Sequence, residues 1–240
     1  MSIMAEIDQP RYLALIGDIR GSRRLPDRQA VQDRLQRTLA GLDRQFAEVI
    51  AARFAVTTGD EFQVLLRDPA AGIPVLVACD EALAGIALRF GLGWGPLATR
   101  LQPRAVGMDG PCFHAARLAI EWAKEEERWA AVRGLPEADA ATLDGVLGLI
   151  GAVRAEWTDR QAELVALRRE VATQRELAAR LGLDPSTVSR HLKSAHHDEM
   201  VAAERAAGDL LARFARSPAV AAATDAGPPD RIRGRRGGPA

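Results

Sequence analysis

Lysine, cysteine and long apolar runs are all scarce in this sequence. Lys+Arg and Asp+Glu both number 32, and the only lysines are Lys124 and Lys193. Because the net charge is zero, no global basic field points to nucleic acid, and any DNA contact must depend on a local surface. The two cysteines, Cys79 and Cys112, lack metal-ligand spacing, which predicts reduced thiols in a cytoplasmic protein.

Apolar runs are broken by glycine, proline or charge well short of the length of a membrane span. The opening residues MSIMAEIDQPR lack the charged start and apolar core of a signal peptide. These features predict a soluble protein that makes no membrane contact.

The first half of the chain alternates strand and helix patterns. Apolar runs predict strands at 12–16, 52–56, 61–66 and 128–132, and a further strand in ALRFGLGWGPL. Apolar residues three or four apart predict a helix before the second strand, and others at about 73–85 and 112–127. The order strand, helix, two strands, helix, strand is the split βαβ, ferredoxin-like arrangement. In it, the end of the first strand approaches the tip of the hairpin.

The pattern changes near 134–138, after which every apolar pattern to residue 214 is helical. The sequence therefore predicts an α+β fold, with a ferredoxin-like domain at 1–135 and an all-α domain at 136–216. The closing segment TDAGPPDRIRGRRGGPA has almost nothing to bury, and residues 217–240 are predicted to be disordered.

Two acidic residues come at the ends of neighbouring predicted strands. Asp18 ends the first strand, and Asp60 lies at the hairpin tip in TTGDEF. Side by side, the two carboxylates would repel each other, and a divalent cation such as Mg²⁺ or Mn²⁺ would relieve that repulsion. The alternative is that Asp60 is an ordinary turn residue and Asp18 the start of a loop.

A turn of small and basic residues follows Asp18. It contains Arg20, Gly21, Ser22 and Arg23. Backbone amides exposed among arginines suit a phosphate chain, so these residues are predicted to bind a nucleotide.

The segments LIGDIRGS, TTGDEFQVLL, RFGLGWGPL and DGPCFHAARLAI resemble the catalytic core of class III nucleotide cyclases and, more distantly, the diguanylate-cyclase palm. The resemblance implies that Asp18 and Asp60 bind metal and that Arg117 stabilises the charge of a transition state. Over most of the chain, TGDEFQ and DGPCFHAAR resemble the SatD family, in which a palm-like domain precedes a helix-turn-helix.

Two positions depart from the cyclase pattern. The resemblance implies an asparagine where this chain has Phe113, and a base-selecting lysine where it has Val56. The pattern therefore predicts a metal and phosphate site without the residues for ribose positioning and base selection, and no residue is assigned a catalytic role.

The most specific motif is TQRELAARLGLDPSTVSRHLKSA. Thr173 and Glu176 predict a capping box at the start of one helix, and Gly182 supplies a left-handed turn residue. Asp184 and Pro185 cap and start a second helix. With a preceding helix at 159–170, this spacing predicts a helix-turn-helix.

The second helix of the motif buries Val188 and Leu192 and leaves a small, basic face outward, as a helix in the major groove requires. That face consists of Ser186, Thr187, Ser189, Arg190 and Lys193. Residues 151–200 are neutral overall, so non-specific affinity should be weak. The alternative is a helical hairpin used for protein contacts.

These features together predict a cytoplasmic, homodimeric transcriptional regulator that binds DNA, with metal and nucleotide bound by the first domain. An apolar helix at about 198–214 is a candidate dimerisation element. The competing hypotheses are a metal-dependent nucleotidyl transferase or cyclase whose helical domain only targets it, and a scaffold that binds neither ligand.

Overall fold

The computed structural model describes residues 9–22, 27–57 and 59–215. Its strands are β1 (Arg11–Ile19), β2 (Ile50–Val56), β3 (Glu61–Leu66), β4 (Leu88–Pro96) and β5 (Ala130–Arg133). Its helices are α1 (Arg28–Gln45), α2 (Gly72–Ala82), α3 (Pro111–Glu125), α4 (Glu137–Ala155), α5 (Asp159–Arg168), α6 (Gln174–Leu181), α7 (Pro185–Ser194) and α8 (His197–Ala215). A short 3₁₀ turn, Pro69–Ala71, precedes α2.

The five strands form one mixed sheet in the order β2-β3-β1-β4-β5. Neighbouring strands are antiparallel except β4 and β5, which are parallel. The first four strands have the order and directions of the predicted βαββαβ arrangement, and β5 adds to the edge beyond β4. The structure also extends β1 past the predicted end at residue 16, so that Asp18 lies within the strand and not after it.

Both faces of the sheet are covered, which explains why its strands read as continuous apolar runs. Leu13 and Leu15 of β1 face a core shared with α1, α2, α4 and α8. Ala14 and Ile16 face the opposite side, where α3 packs. Successive side chains of β1 thus point alternately into two separate apolar layers, one on each face of the sheet.

Glycines of β4 bring α3 into direct contact with the strand backbone. A Cβ atom at Gly93 would lie 2.1 Å from the nitrogen of Ala116 and 2.2 Å from the carbonyl oxygen of Cys112. Gly91 meets the next turn of α3 in the same way. Only glycine permits so close an approach, so the glycine spacing of β4 fixes where α3 lies.

The helices that follow β5 do not all form a separate core. Leu143 and Leu147 of α4, with Leu210 and Leu211 of α8, belong to the core that covers the sheet. Leu210 and Leu211, which lie in the predicted dimerisation element, are therefore buried within the same chain. The boundary between 135 and 136 stays a prediction, and the predicted disordered segment at 217–240 lies outside the described residues.

Helices α5, α6 and α7 have a small core of their own, built on Leu164, Leu177, Val188 and Leu192. No strand occurs in the described residues after β5, as the sequence predicts. Among those residues, no helix is long and apolar enough to cross a bilayer.

Side-chain caps start the helices of this small core. Thr158 and Gln161 form a reciprocal capping box at the start of α5. The predicted box at Thr173 is wrong in one of its two bonds: Thr173 Oγ1 accepts from the Glu176 nitrogen at 3.1 Å, but Glu176 Oε2 accepts from Ala172. The glutamate reaches one residue further back because that nitrogen is also outside the helix and needs an acceptor.

Candidate functional site

The end of β1 and the start of β3 bring three carboxylates together where these two inner strands end, at one corner of the sheet. Asp18 pairs in register with Glu61 of β3 and with Arg89 of β4. The backbone nitrogen of Ile19 donates to the carbonyl oxygen of Asp60 at 3.2 Å. The fold therefore places Asp18 and Asp60 at the same corner, and adds Glu61 to them.

Asp18 is largely buried and is paired with a lysine of α3. Its side chain is 15% exposed, and Oδ1 lies 3.1 Å from Nζ of Lys124. Burial raises the pKa of Asp18, and the neighbouring Asp60 and Glu61 raise it further, while the bond to Lys124 opposes them in part. An ammonium group thus already occupies one side of the carboxylate that was predicted to bind metal.

Glu61 forms a bidentate pair with Arg117, the residue assigned by resemblance to transition-state charge. Arg117 Nη2 donates to Oε1 at 2.6 Å, and Nη1 donates to Oε2. The hydroxyl of Thr57 donates to Oε1 at 3.0 Å. Burial acts to raise the pKa of Glu61, but the bonds from Arg117 and Thr57 outweigh it and leave the pKa lowered. In this structure the guanidinium group is therefore engaged by Glu61.

Three further residues of this site, Glu61, Lys124 and Arg89, were not predicted from the sequence. Arg117 and Lys124 are seven residues apart on α3, so they lie on one face of the helix, and this spacing was a signal for the pair. Arg89 is 8% exposed and donates to the carbonyl oxygen of Arg128 at 3.0 Å. Burial and the nearby Arg20 lower the pKa of Arg89.

The predicted phosphate turn begins at the same corner. Arg20 is exposed, and its backbone nitrogen donates to the carbonyl oxygen of Ala87 at 2.8 Å. Gly21 has the left-handed φ of 66° that favours glycine, and Ser22 is half-buried. Arg23 lies outside the described residues.

The two departures from the cyclase pattern are packing positions. Phe113 is 7% exposed and packs against the sheet under α3. Val56 is half-buried against the core on the opposite face. An apolar side chain at either position contributes to stability, but it has no polar group to offer a ribose or a base.

No group of three or more His, Cys, Asp or Glu side chains that could hold a metal occurs within 9–22, 27–57 and 59–215. Asp18 and Asp60 supply oxygen ligands of the type that Mg²⁺ and Mn²⁺ accept alongside water and phosphate. The two carboxylates match such an ion in ligand type, and an ion bound to Asp18 would compete with Lys124 for that carboxylate.

A second candidate surface lies on α7. Val188 and Leu192 are buried, while Ser186, Ser189, Arg190 and Lys193 are exposed and Thr187 is half-buried. Gly182, with φ 62°, ends α6 in the predicted left-handed conformation. Asp184 Oδ1 accepts from the nitrogen of Ser186 at 2.7 Å and starts α7. The predicted outward residues therefore share one face.

Comparison with solved structures finds nucleotide cyclases. A bacterial light-regulated adenylyl cyclase matches with a TM-score of 0.38 and 13% identity, over 50% of this chain and 73% of that one. The catalytic core of a rhodopsin-guanylyl cyclase with converted specificity, in complex with ATPαS, matches with 0.33 and 16%, over 47% and 72%. The guanylyl cyclase Cya2 matches with 0.30 and 16%, over 49% and 72%. These similarities are too low to support a conclusion of their own.

Comparison with curated proteins gives no match. The model of the SatD family matches residues 12–211. This range contains the sheet except for Arg11, the first residue of β1, together with Asp18, Asp60 and helices α5 to α7. The chain therefore belongs to the SatD family.

Proposed function

We propose that this protein is a DNA-binding transcriptional regulator that contacts DNA through α7. The observation that carries the proposal is the outward face of α7, which has no acidic residue; the sequence has none from Ser186 to His197. The opposite face is fixed by Val188 and Leu192 in the small core of α5, α6 and α7. A short helix held in this way, with small residues first and basic residues after them, suits the major groove.

The residues of this face have different expected roles. Ser186, Thr187 and Ser189 are small enough for the helix to approach base edges. Arg190 and Lys193 carry the positive charge, and Arg190 Nη2 lies 3.3 Å from Oγ1 of Thr187. Since the surrounding module is neutral, binding should depend on these two cations and on operator sequence more than on bulk attraction. Operators with half-site symmetry suit a homodimer, which we include in the proposal.

The test is a binding selection on fragmented genomic DNA, followed by fluorescence anisotropy with the recovered sequence. Arg190→Ala and Lys193→Ala should each weaken binding and lower the slope of log K against log salt by about 1. Arg44→Ala, an exposed arginine on α1, is the matched control and should leave both quantities unchanged. Failure to recover any fragment at low salt would rule out the regulator.

We further propose that the corner at Asp18 and Asp60 binds a nucleotide together with Mg²⁺ or Mn²⁺. The cation would neutralise phosphate charge when bound to these carboxylates. Arg20, Gly21, Ser22 and Arg23 would hold phosphate oxygens. Arg117 and Lys124 already lie at the corner on one face of α3 and would supply further positive charge.

Calorimetry with each nucleoside triphosphate, with and without Mn²⁺, tests this second part. Binding should require the cation and should be lost in Asp18→Ala. Absence of cation-dependent binding in the wild-type protein would reduce the first domain to a scaffold. This outcome is independent of the DNA experiment.

The alternative function is that of a metal-dependent nucleotidyl transferase or cyclase. The adjacency of Asp18 and Asp60 favours it, whereas Phe113 and Val56 remove the polar groups expected for ribose and base. Incubation with nucleoside triphosphates and Mn²⁺ distinguishes the two functions. A new cyclic or linear product that disappears in Asp60→Ala would replace the regulatory proposal for this domain by an enzymatic one.

A further inference from the structure

Helices α5, α6 and α7 form a unit, the α5–α7 unit, that the backbone joins to the rest of the chain at one end. The small core of the unit is separate from the core that covers the sheet. Its two chain connections, at Trp157 before α5 and at Ala195 after α7, lie side by side, because Trp157 Nε1 donates to the carbonyl oxygen of Ala195 at 2.9 Å. The backbone therefore attaches the unit to α4 and α8 at a single place.

One side chain at the other end of α5 makes a second attachment. Arg169 Nε donates to Glu81 of α2 at 2.8 Å, and Nη2 donates to both carboxylate oxygens of Glu204 of α8 at 2.8 and 2.9 Å. These bonds are the Arg169 bridge. In the part of the chain that the structure describes, no other side-chain hydrogen bond or ion pair joins α5, α6 or α7 to another helix or strand. The 10 residues of α5 separate the bridge from the backbone connections by about 15 Å along the helix axis.

A cleft of about 750 Å³ lies next to the bridge. Ala166, Arg169 and Glu170, at the end of α5, line one side of it, and residues of α1, α2 and α8 line the rest. The end of α5 is therefore not packed against α1 and α2, and the Arg169 bridge spans the gap. This space gives α5 room to move when the bridge is broken.

A buried arginine of α4 lies beside the same two glutamates. Arg154 donates to Asp80 through Nη2 and Nε at 2.6 and 3.0 Å, whereas its Nη1 is buried and has no hydrogen-bond partner among the described residues. This nitrogen lies 3.7 Å from Glu81 and 3.8 Å from Glu204. A shift of about 1 Å would bring it within hydrogen-bond distance, and its two hydrogen atoms can serve both carboxylates. Loss of Arg169 would therefore not leave a buried carboxylate unpaired, which would be costly.

The backbone at the attached end has a conformation that suits a hinge. His196, between the end of α7 and the start of α8, has a left-handed φ of 53°, which is uncommon for a residue other than glycine. Residues at the ends of helices commonly absorb the dihedral changes of hinge motions. A rotation at His196 changes the direction of α7 and leaves the helices on both sides intact.

We propose that the α5–α7 unit has two positions, one held by the Arg169 bridge and one released, and that Arg154 keeps the two glutamates paired in the released position. On release, the Arg169 side chain, already 31% exposed, enters solvent. Arg154 Nη1 then donates to Glu81 and Glu204, and the unit turns about the connections at Trp157 and His196. Because both carboxylates have a guanidinium partner in either position, the two positions are close in free energy.

The bridge affects DNA binding, and this step rests on the proposed function. A homodimer contacts two half-sites with its two α7 helices, so the half-site spacing that it accepts depends on the direction of each α7. The held position fixes one spacing, whereas the released position tolerates several. Arg169 is therefore a positioning residue that sets the specificity for operator spacing.

Distances between spin labels test the two positions. Arg44→Cys on α1 and Arg175→Cys on α6 provide exposed labelling sites in the full chain, while Cys79 and Cys112 are buried. Dilution with unlabelled protein restricts the measurement to labels within one chain. Adding Arg169→Ala should broaden the distribution of distances.

The control for this measurement is Arg160→Ala. Arg160 also belongs to α5, but it pairs with Glu163 of the same helix, so its removal should leave the distribution unchanged. Equal widths in Arg169→Ala and the labelled parent protein would refute the bridge.

Urea unfolding tests the exchange of partners. Removing one partner of a buried ion pair changes the equilibrium constant for unfolding by about a hundredfold or more. Because Arg154 takes over, Arg169→Ala should change it by less than about tenfold. In the background of Arg154→Met, which lacks the spare donor, the same substitution should change it by about a hundredfold.

Equal changes in the two backgrounds would refute the exchange. If Arg154→Met does not fold, the wild-type background decides alone, and a change of more than about tenfold there refutes it.

The operator recovered with the wild-type protein tests the effect on DNA. Fluorescence anisotropy compares it with a version that has additional base pairs between the half-sites. The preference for the original spacing should be several-fold smaller in Arg169→Ala than in the wild type or Arg160→Ala. An unchanged preference would refute the role in spacing. A protein that binds no DNA would refute the proposed function, whereas the spin-label and unfolding measurements would still decide the bridge.

Discussion

Replacing Gly93 by alanine should strongly destabilise the protein by forcing α3 away from β4. The added Cβ would lie 2.1 Å from the nitrogen of Ala116 and 2.2 Å from the carbonyl oxygen of Cys112, whereas ordinary carbon contacts begin at about 3.5 Å. Both clashing atoms belong to the helix backbone, so no side-chain rotation relieves them, and the helix must retreat by about 1 Å. Overpacking costs about 1–3 kcal/mol, and a backbone clash belongs at the upper limit, about 3 kcal/mol.

The assay is urea and thermal unfolding followed by circular dichroism. A loss of about 3 kcal/mol corresponds to a fall in Tm of about 6–12 °C for a chain of this size. Gly41→Ala is the control, because Gly41 lies in α1 with nothing within 4 Å, and alanine should stabilise that helix by up to about 1 kcal/mol. If Gly93→Ala loses less than about 1 kcal/mol, the close contact between helix and strand does not exist as described.

Three further changes test the sheet edge and the turn before α7. The folded-state pKa of Glu61 is lowered from 4.5. Its pairing with Arg117 therefore stabilises the protein above about pH 4.5, and this stabilisation is lost as the pH falls through the folded-state pKa. Between about pH 6 and about pH 3, the free energy of unfolding should therefore fall less in Glu61→Gln than in the wild type. An equal fall in the two proteins would contradict the pairing. Gly182→Ala should lower the free energy of unfolding in urea by about 1 kcal/mol, because φ at this position is left-handed. Gly182→Asn should lower it less, since asparagine tolerates this conformation better. Equal losses in the two variants would contradict that cause. Lys124→Met should raise the affinity of Asp18 for Mn²⁺ up to about fivefold in calorimetry, because the ion pair that it removes, in which only the lysine is substantially exposed, is worth up to about 1 kcal/mol. Weaker binding would show that Lys124 assists the ion.

The order of the strands could be predicted from the sequence because local patterns determine it. Apolar runs bounded by turn residues indicate buried strands, and their alternation with helices leaves few topologies. The glycines of β4 were visible as well, but their reason was not. Gly91 and Gly93 are needed only because a helix more than fifteen residues away in sequence packs on their Cα atoms, and no local pattern contains that information.

The placement of Asp18 and Asp60 followed from topology, whereas the partners of the charges did not. Glu61 reads as part of a strand and Arg117 as part of a helix, and their pairing depends on the angle at which α3 crosses the sheet. The packing of α8 against the core of its own chain could not be predicted from the sequence either. An apolar stripe on a helix indicates that the stripe is covered, but not whether the same chain or a second copy covers it.

The charges around Asp18 and Glu61 constrain what can bind at this corner of the sheet. Asp18 is paired with Lys124 and Glu61 with Arg117, so a bare divalent cation must displace an ammonium group and then lie beside it. A polyphosphate that arrives with the cation brings negative charge of its own, which the displaced Lys124, together with Arg20, can neutralise. The cost of removing Lys124 from Asp18 is then offset by a new partner for the lysine. Charge balance at this corner therefore favours a nucleotide together with its cation over the cation alone, which is why the proposed ligand is the pair.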